Sequence, residues 1–288
     1  MTIPRWEWPK NIQSSHAMKL LAFDTSTEHL SIAVSRTVHG HTQVWAHTGP
    51  GGAMASSTLI PAIMALLVEA GLSLRELDAI AFGAGPGSFT GLRTACAVAQ
   101  GLGHGAGVPL LPMDTLLAVA EEARNASAPD AAAFNVVAVL DARMDEVYTA
   151  VYAWRAGRWT QPGGWDVIKP EALVAADRAG DAGAAQPPEA SPASTVGADA
   201  APPVAPAWVV AGNAFSAYGE RLLPGWPRVH ALPTATALLR LAPALLAAGQ
   251  AVPPQDALPR YIRDKVAKTS DERADEKAAA LALHLPPA

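Results

Sequence analysis

AFGAGPGSFTGLR, residues 81–93, places glycines at 83, 85, 87 and 91 between an apolar run and a run of small residues. A glycine-rich turn that leaves a strand and opens a helix brings backbone N–H groups to a helix N-terminus, where an anion is favoured. This stretch fails the specific tests for such a use. No lysine follows its last glycine, so it is not a P-loop, and GxGxxG is not matched. Pro86 stands where a nucleophile elbow around Ser88 needs glycine. The local reading is a tight strand-to-helix turn built from Gly85, Pro86, Gly87 and Ser88. The glycines supply unusual dihedrals and Ser88 caps the helix.

Working outward, the pattern on either side is mixed α and β. LLAFDTS reads as a first strand, and SIAVSR and TQVWAHT flank a Gly-centred turn as a hairpin. Residues 56–70 follow helical spacing, with Pro61 acceptable only if the helix begins within about a turn of it. LDAIAFG is a buried strand, SFTGLRTACAVAQGLG a helix, VPLLP a strand and DTLLAVAEEA a helix. A similar order restarts at VVAVLDA, with EVYTAVYAWRAGRWTQPG as a second hairpin and KPEALVAA as a helix. WVVAGN then reads as a strand, and AFSAYGERLL and TATALLRLAPALLAAG as helices. Two hairpin-plus-αβα units in tandem predict an internally duplicated α/β fold. The expected divisions are an N-terminal subdomain over 18–112 and a C-terminal one over 113–268. Residues 1–17 read as a disordered extension, with Met18 an equally good start, and 269–288 as a charged tail. Residues 179–206 hold no aromatic, Leu or Ile, so they read as a flexible insertion.

Composition narrows the function classes. The chain has 288 residues, half of them apolar and 16% charged, with a formal net charge of −5. An autonomous nucleic-acid binder needs clustered Lys and Arg to displace counterions, and no such cluster is visible. The single cysteine, Cys96, rules out an internal disulfide and a thiolate metal cage. It reads as a small buried side chain in a cytoplasmic protein. No run has membrane-spanning length. His39 and His41 flank the hairpin turn without a third ligand, so no metal site is expected.

A second motif of phosphate character is FDTST, 23–27. Its carboxylate either faces a metal–phosphate group or starts a turn, and the residues alone leave both open.

Four segments together resemble the TsaB (YeaZ) family: MKLLAFDTSTEHLSIAV, AFGAGPGSFTGLRTACAVAQGL, VLDARMDEVYTAVY and PRYIRDKVA. The matches are collinear over roughly residues 18 to 267. The resemblance implies a duplicated actin-like, Hsp70-like (ASKHA) fold of two αβ subdomains. It implies a non-catalytic dimerisation and scaffold subunit with no cofactor of its own, which activates the TsaD catalytic subunit for threonylcarbamoyl transfer to adenosine 37 of tRNAs reading ANN codons. Implied partners are TsaD as a heterodimer, the ATPase TsaE, and a second copy of the chain when TsaD is absent. Contact with tRNA is indirect and no membrane is involved. The chain departs from the family pattern at Ala55, where a His is usual, and at Asp145, where a Gly is usual.

Kinases of the same superfamily carry Gly beside each phosphate-facing Asp. Here Ser26 follows Asp24 at that place, Arg143 follows Asp141, and Asn213 follows Gly212 in the adenosine-side loop. These six residues are the candidates for a vestigial nucleotide cleft, in which weak nucleotide binding stays open. The rival reading is an autonomous ATP-dependent small-molecule kinase. On a helical wheel, the apolar residues of 56–70 cover roughly 200°, twice the stripe of a surface helix. The following helix carries Gly91, Ala95, Ala99 and Gly103 every fourth residue. The preferred reading places Leu59, Ile63, Leu66 and Leu67, with that small-residue row, at a partner interface. The bland reading buries both helices within their own subdomain.

Overall fold

In the computed structural model the described residues are 18–173 and 208–263. The expectations for 1–17, 179–206 and 269–288 lie outside them. The chain forms two lobes of the duplicated actin-like αβ type. The first sheet has the order β3-β2-β1-β4-β5, from β1 (Met18–Asp24), β2 (His29–Val38), β3 (His41–Pro50), β4 (Ala79–Gly85) and β5 (Leu110–Asp114). The second has the order β11-β10-β6-β7-β8, from β6 (Ala133–Arg143), β7 (Glu146–Arg155), β8 (Arg158–Thr160), β10 (Trp208–Gly212) and β11 (Arg228–His230). The short β9 (Asp166–Ile168) also pairs with β7. The repeat is explicit in the pairing. β1 is antiparallel to β2 and parallel to β4, just as β6 is antiparallel to β7 and parallel to β10.

Strand alternation sorts the first core. Leu21 and Phe23 of β1 face a cluster shared with α1 (Ala55–Glu69) and α2 (Phe89–Ala106), while Leu20 and Ala22 face the opposite side. That opposite side is covered by α5 (Ala235–Ala247), assisted by α3 (Thr115–Ser127). The division at residue 112 therefore needs an amendment. β5 keeps Met113 and Asp114 in the first sheet, and α5, late in the chain, returns to pack its Ala235, Leu238 and Ala242 on that sheet.

Three local expectations change. Pro61 lies well inside α1, whose first residue is Ala55. Pro61 and Ser57, whose carbonyl loses its N–H partner, are both exposed, so water can satisfy that carbonyl. KPEALVAA is described only to Leu173, where it forms a 3-10 turn at Pro170–Ala172. AFSAYGERLL shrinks to α4 (Phe215–Tyr218) and a 3-10 turn, because Gly219 takes φ +50° and ends the helix.

The larger correction concerns the expected partner interface. Leu59, Ile63, Leu66 and Leu67 are buried in the first lobe's own core, as are Ala95 and Ala99. Gly91 and Gly103 are buried with them, Gly103 against Leu110 and Pro254. The width of the apolar arc on α1 is correctly read, but its facing is not. Full burial of a Leu or Ile side chain is worth about 1.5–3 kcal/mol, so the residues that point at β2 and β3 are claimed by the sheet. The surplus that stays outside is Met54, Ile60, Met64 and Val68, the last 78% exposed.

Ala99→Phe tests this packing directly. With Ala99 wholly buried, the added ring overpacks a filled core, and we expect a loss of about 1–3 kcal/mol in urea unfolding of the isolated chain. Unchanged stability would return Ala99 to the surface.

Candidate functional site

The β4–α2 turn and the loop after β1 are stitched together. Ser88 N–H donates to the Ser26 carbonyl at 2.7 Å, and the Thr25 hydroxyl donates to the Gly91 carbonyl at 2.7 Å. A Cβ on Gly91 would collide with the Thr25 carbonyl, and one on Gly87 would come within 2.6 Å of Ser26 Cβ. Gly85 takes φ +126°, which side-chain-bearing residues rarely adopt. Ser88 occupies the N-cap position of α2 but its side chain makes no capping bond, contrary to expectation. A backbone N–H at the start of α2, the feature that would favour an anion, is spent on the Ser26 carbonyl.

Between the lobes lies a cleft of about 700 Å³. Of the six sequence candidates, Ser26, Asp141, Arg143 and Asn213 line it, and Asp24 and Gly212 do not. Asp24 is 1% exposed and turned into the protein. Its Oδ1 accepts both the N–H (2.8 Å) and the hydroxyl (2.7 Å) of Ser26. Its Oδ2 lies against Gly83 without a hydrogen-bond partner. Burial pushes this carboxyl up to about 7, against the lowering effect of the two Ser26 bonds. Gly212 sits against the β6 backbone, where a Cβ would collide with the Val139 carbonyl.

The second carboxylate is engaged as well. Asp141 Oδ1 accepts from the Arg143 N–H (2.8 Å) and the Tyr218 hydroxyl (2.9 Å), and Oδ2 pairs with the Arg143 guanidinium at 3.1 Å. Burial, then Asp141, push the Tyr218 phenol up to about 12, which keeps it a donor. Asn213 Oδ1 accepts the Asp141 N–H at 3.0 Å and so closes the loop after β10 onto β6. The turn Arg143–Met144–Asp145 runs at positive φ throughout, and Asp145, the residue in place of Gly, adopts +62°. Arg221 holds that turn through both Asp145 oxygens, at 2.7 and 2.8 Å. Across the mouth, Arg143 also pairs with Glu28 of the β1–β2 loop. Both partners are well exposed, so the pair contributes at most about 1 kcal/mol.

A polar network that the motifs gave no sign of lies behind the cleft. Asp114 caps α3 through the Leu116 N–H (2.9 Å) and accepts from Tyr152 Oη (2.5 Å) and Trp165 Nε1 (2.8 Å). Burial pushes its carboxyl up, against those two bonds and Arg260. Asp before an apolar helical run is an N-cap signal; its partners, 38 and 51 residues away, leave no local trace. Glu121 of α3 is likewise buried, held by Arg124, Arg240 and Trp159. Among the described residues no group of three His, Cys, Asp or Glu is placed to hold a metal ion, and no helix is long and apolar enough to cross a membrane.

The family model described as "TsaD: tRNA N6-adenosine threonylcarbamoyltransferase" matches residues 53–270. The tRNA threonylcarbamoyladenosine biosynthesis protein TsaB of Haemophilus influenzae is 41% identical over 135 residues, 46% of this chain and 52% of that protein. Its namesake in Escherichia coli is 37% identical over 159 residues, 54% of this chain and 64% of that protein. These alignments span between half and two thirds of the curated relatives' length. The solved structure of YeaZ from Pseudomonas aeruginosa aligns with a TM-score of 0.65 at 34% identity, over 85% of this chain and all of that one.

Asp24 gives a measurable pH signature. Its folded pKa lies above its unfolded value, so the unfolded chain releases this proton first and stability falls as pH rises from about 4 to about 7. The full span is worth about 4 kcal/mol at most. We expect Asp24→Asn to remove this slope, so that the variant gains on the wild type in melting temperature between pH 5 and pH 8. Parallel curves over that range would mean that Asp24 is ionised in the folded protein.

Proposed function

The chain belongs to the TsaB (YeaZ) family, within the wider threonylcarbamoyltransferase family matched over 53–270, and on that premise we propose that it serves tRNA threonylcarbamoyladenosine biosynthesis as a non-catalytic subunit. In this reading it binds the TsaD catalytic subunit and holds it competent to move the threonylcarbamoyl group from its adenylate to adenosine 37. TsaE joins the assembly, tRNA is met through the partner, and the chain pairs with itself when TsaD is absent.

The observation that carries the proposal is the outer face of α1. Ile60, Met64 and Val68 recur every four residues and stay exposed, with Met54 at the helix start. Beside them α2 turns Ala97, Gly101 and Gly105 outward, and beyond the two glycines there is open space. An apolar ridge next to a row without side-chain bulk suits the close approach of a partner helix. Full burial of each ridge residue would add about 1.5–3 kcal/mol to association. The interface is thereby reassigned from the core face of α1 to its opposite face.

The kinase alternative requires a carboxylate facing the phosphates. Asp24 points into the protein, and Asp141 is occupied by Arg143 and Tyr218. We therefore expect no ATP hydrolysis above background from the purified chain. Steady turnover that vanishes in Asp24→Ala would favour the kinase.

Met64→Asp combined with Val68→Asp tests the interface. Both side chains face solvent, so the melting temperature is expected to stay within a few degrees of the wild type. Co-purification with TsaD is expected to be lost. Retained co-purification by the folded variant would place the interface elsewhere.

A further inference from the structure

The chain passes between the lobes three times: from β5 into α3, from β11 back to α5, and again along the extended segment after Pro254. The third passage is anchored on the first lobe at several points. The Ala257 carbonyl accepts from Gln100 Nε2 at 2.9 Å, and the Arg260 N–H donates to the Ala84 carbonyl at 2.6 Å. The Arg260 carbonyl fills the space beside Gly85. Tyr261 stacks on Phe89 with ring centres 5.1 Å apart, and its hydroxyl accepts from Arg93 Nε at 3.1 Å.

Within the same few residues the segment reaches the second lobe. The Arg260 guanidinium lies over Trp165, 4.3 Å from the ring centre. Ile262 packs against the second lobe's core, and Arg263 pairs with Glu146 of β7 and lies near Met144. Two lobes joined by two connections can rotate about the line between them. A third connection, fastened to both lobes beside the cleft, opposes that rotation.

We propose that Ala257–Arg263 is an interlobe strut that fixes the cleft at one width, so that the lobes keep one arrangement with or without a nucleotide. The inference concerns the isolated chain and does not depend on the identity of its partner. The structure that supports it is local to the strut: main-chain bonds and a filled glycine site on one side, an apolar anchor and a partly buried ion pair on the other. The strut's last residue, Arg263, lines the cleft itself.

Spin labels on cysteines introduced at the exposed positions Ser57 and Arg158, one on each lobe, in a Cys96→Ser background that keeps a donor toward the Ala257 carbonyl, report the interlobe distance by pulsed electron resonance. A single narrow distribution, unmoved by millimolar ATP and Mg²⁺, is expected for the otherwise native chain. Ile262→Ser with Arg263→Ala removes the apolar anchor and the ion pair and leaves only Arg260 on Trp165 at the second-lobe end, and a broader distribution is expected with the circular dichroism spectrum retained. A broad distribution in the native chain, or a shift on adding ATP and Mg²⁺, would overturn the proposal whether or not the double variant folds. So would a folded double variant whose distribution stays narrow.

Discussion

The close approach of the loop 24–26 to the glycine face of β4 and α2 is the constraint on which the rest of the molecule depends. The Thr25 hydroxyl on the Gly91 carbonyl, the Ser26 carbonyl on the Ser88 N–H, and Ser26 Cβ against Gly87 leave no gap between the two segments. The contact aligns β1 with the start of α2, and so places α2 across the first sheet with its small residues inward. It also buries Asp24, whose carboxylate lies against Gly83 of β4. A buried carboxyl with one unpartnered oxygen is a cost that desolvation alone accounts for. The tight junction is what imposes it.

From that junction follows the character of the cleft. Its first-lobe lining includes Ser26, Thr27, Glu28, His29 and Phe89 but not the withdrawn Asp24. On the second lobe Asp141, Tyr218, Asn213 and Arg143 satisfy one another. The Asp141 carboxylate is thus engaged on both oxygens. A ligand entering there would have to break these bonds before making its own, which reduces the affinity available from each contact.

Much of the fold was legible because it is written in short-range pattern. The apolar run of β1, the alternation read in the β2–β3 hairpin, the hairpin turns and the run of buried β4 each need only a few consecutive residues. Facing was not. A helical wheel measures the width of the apolar arc on α1, and that width was right; the sheet decides which half is inside, and the sheet lies elsewhere in sequence. The small residues of α2 show the same limit. Gly91 and Gly103 are small because their own chain presses on them, whereas Gly101 and Gly105 face open space. Nothing local distinguishes the two pairs. The return of α5 to the first lobe and the partners of Asp114 depend on contacts tens of residues apart, beyond any window.

The duplicated architecture sharpens what such a chain can contribute. A ligand shifts a two-lobed protein only by binding one lobe arrangement better than another. Here the groups that would sense a phosphate are already paired with one another, and the lobes share α5, which belongs by sequence to the second and by packing to the first. The apolar surface that the core does not claim lies instead on the outside of α1, at the far side of the sheet from α5. Its geometry is set by the same α1–sheet packing that holds the first lobe together. Any influence on a partner would then come from presenting that surface in one fixed shape, because packed cores resist continuous deformation.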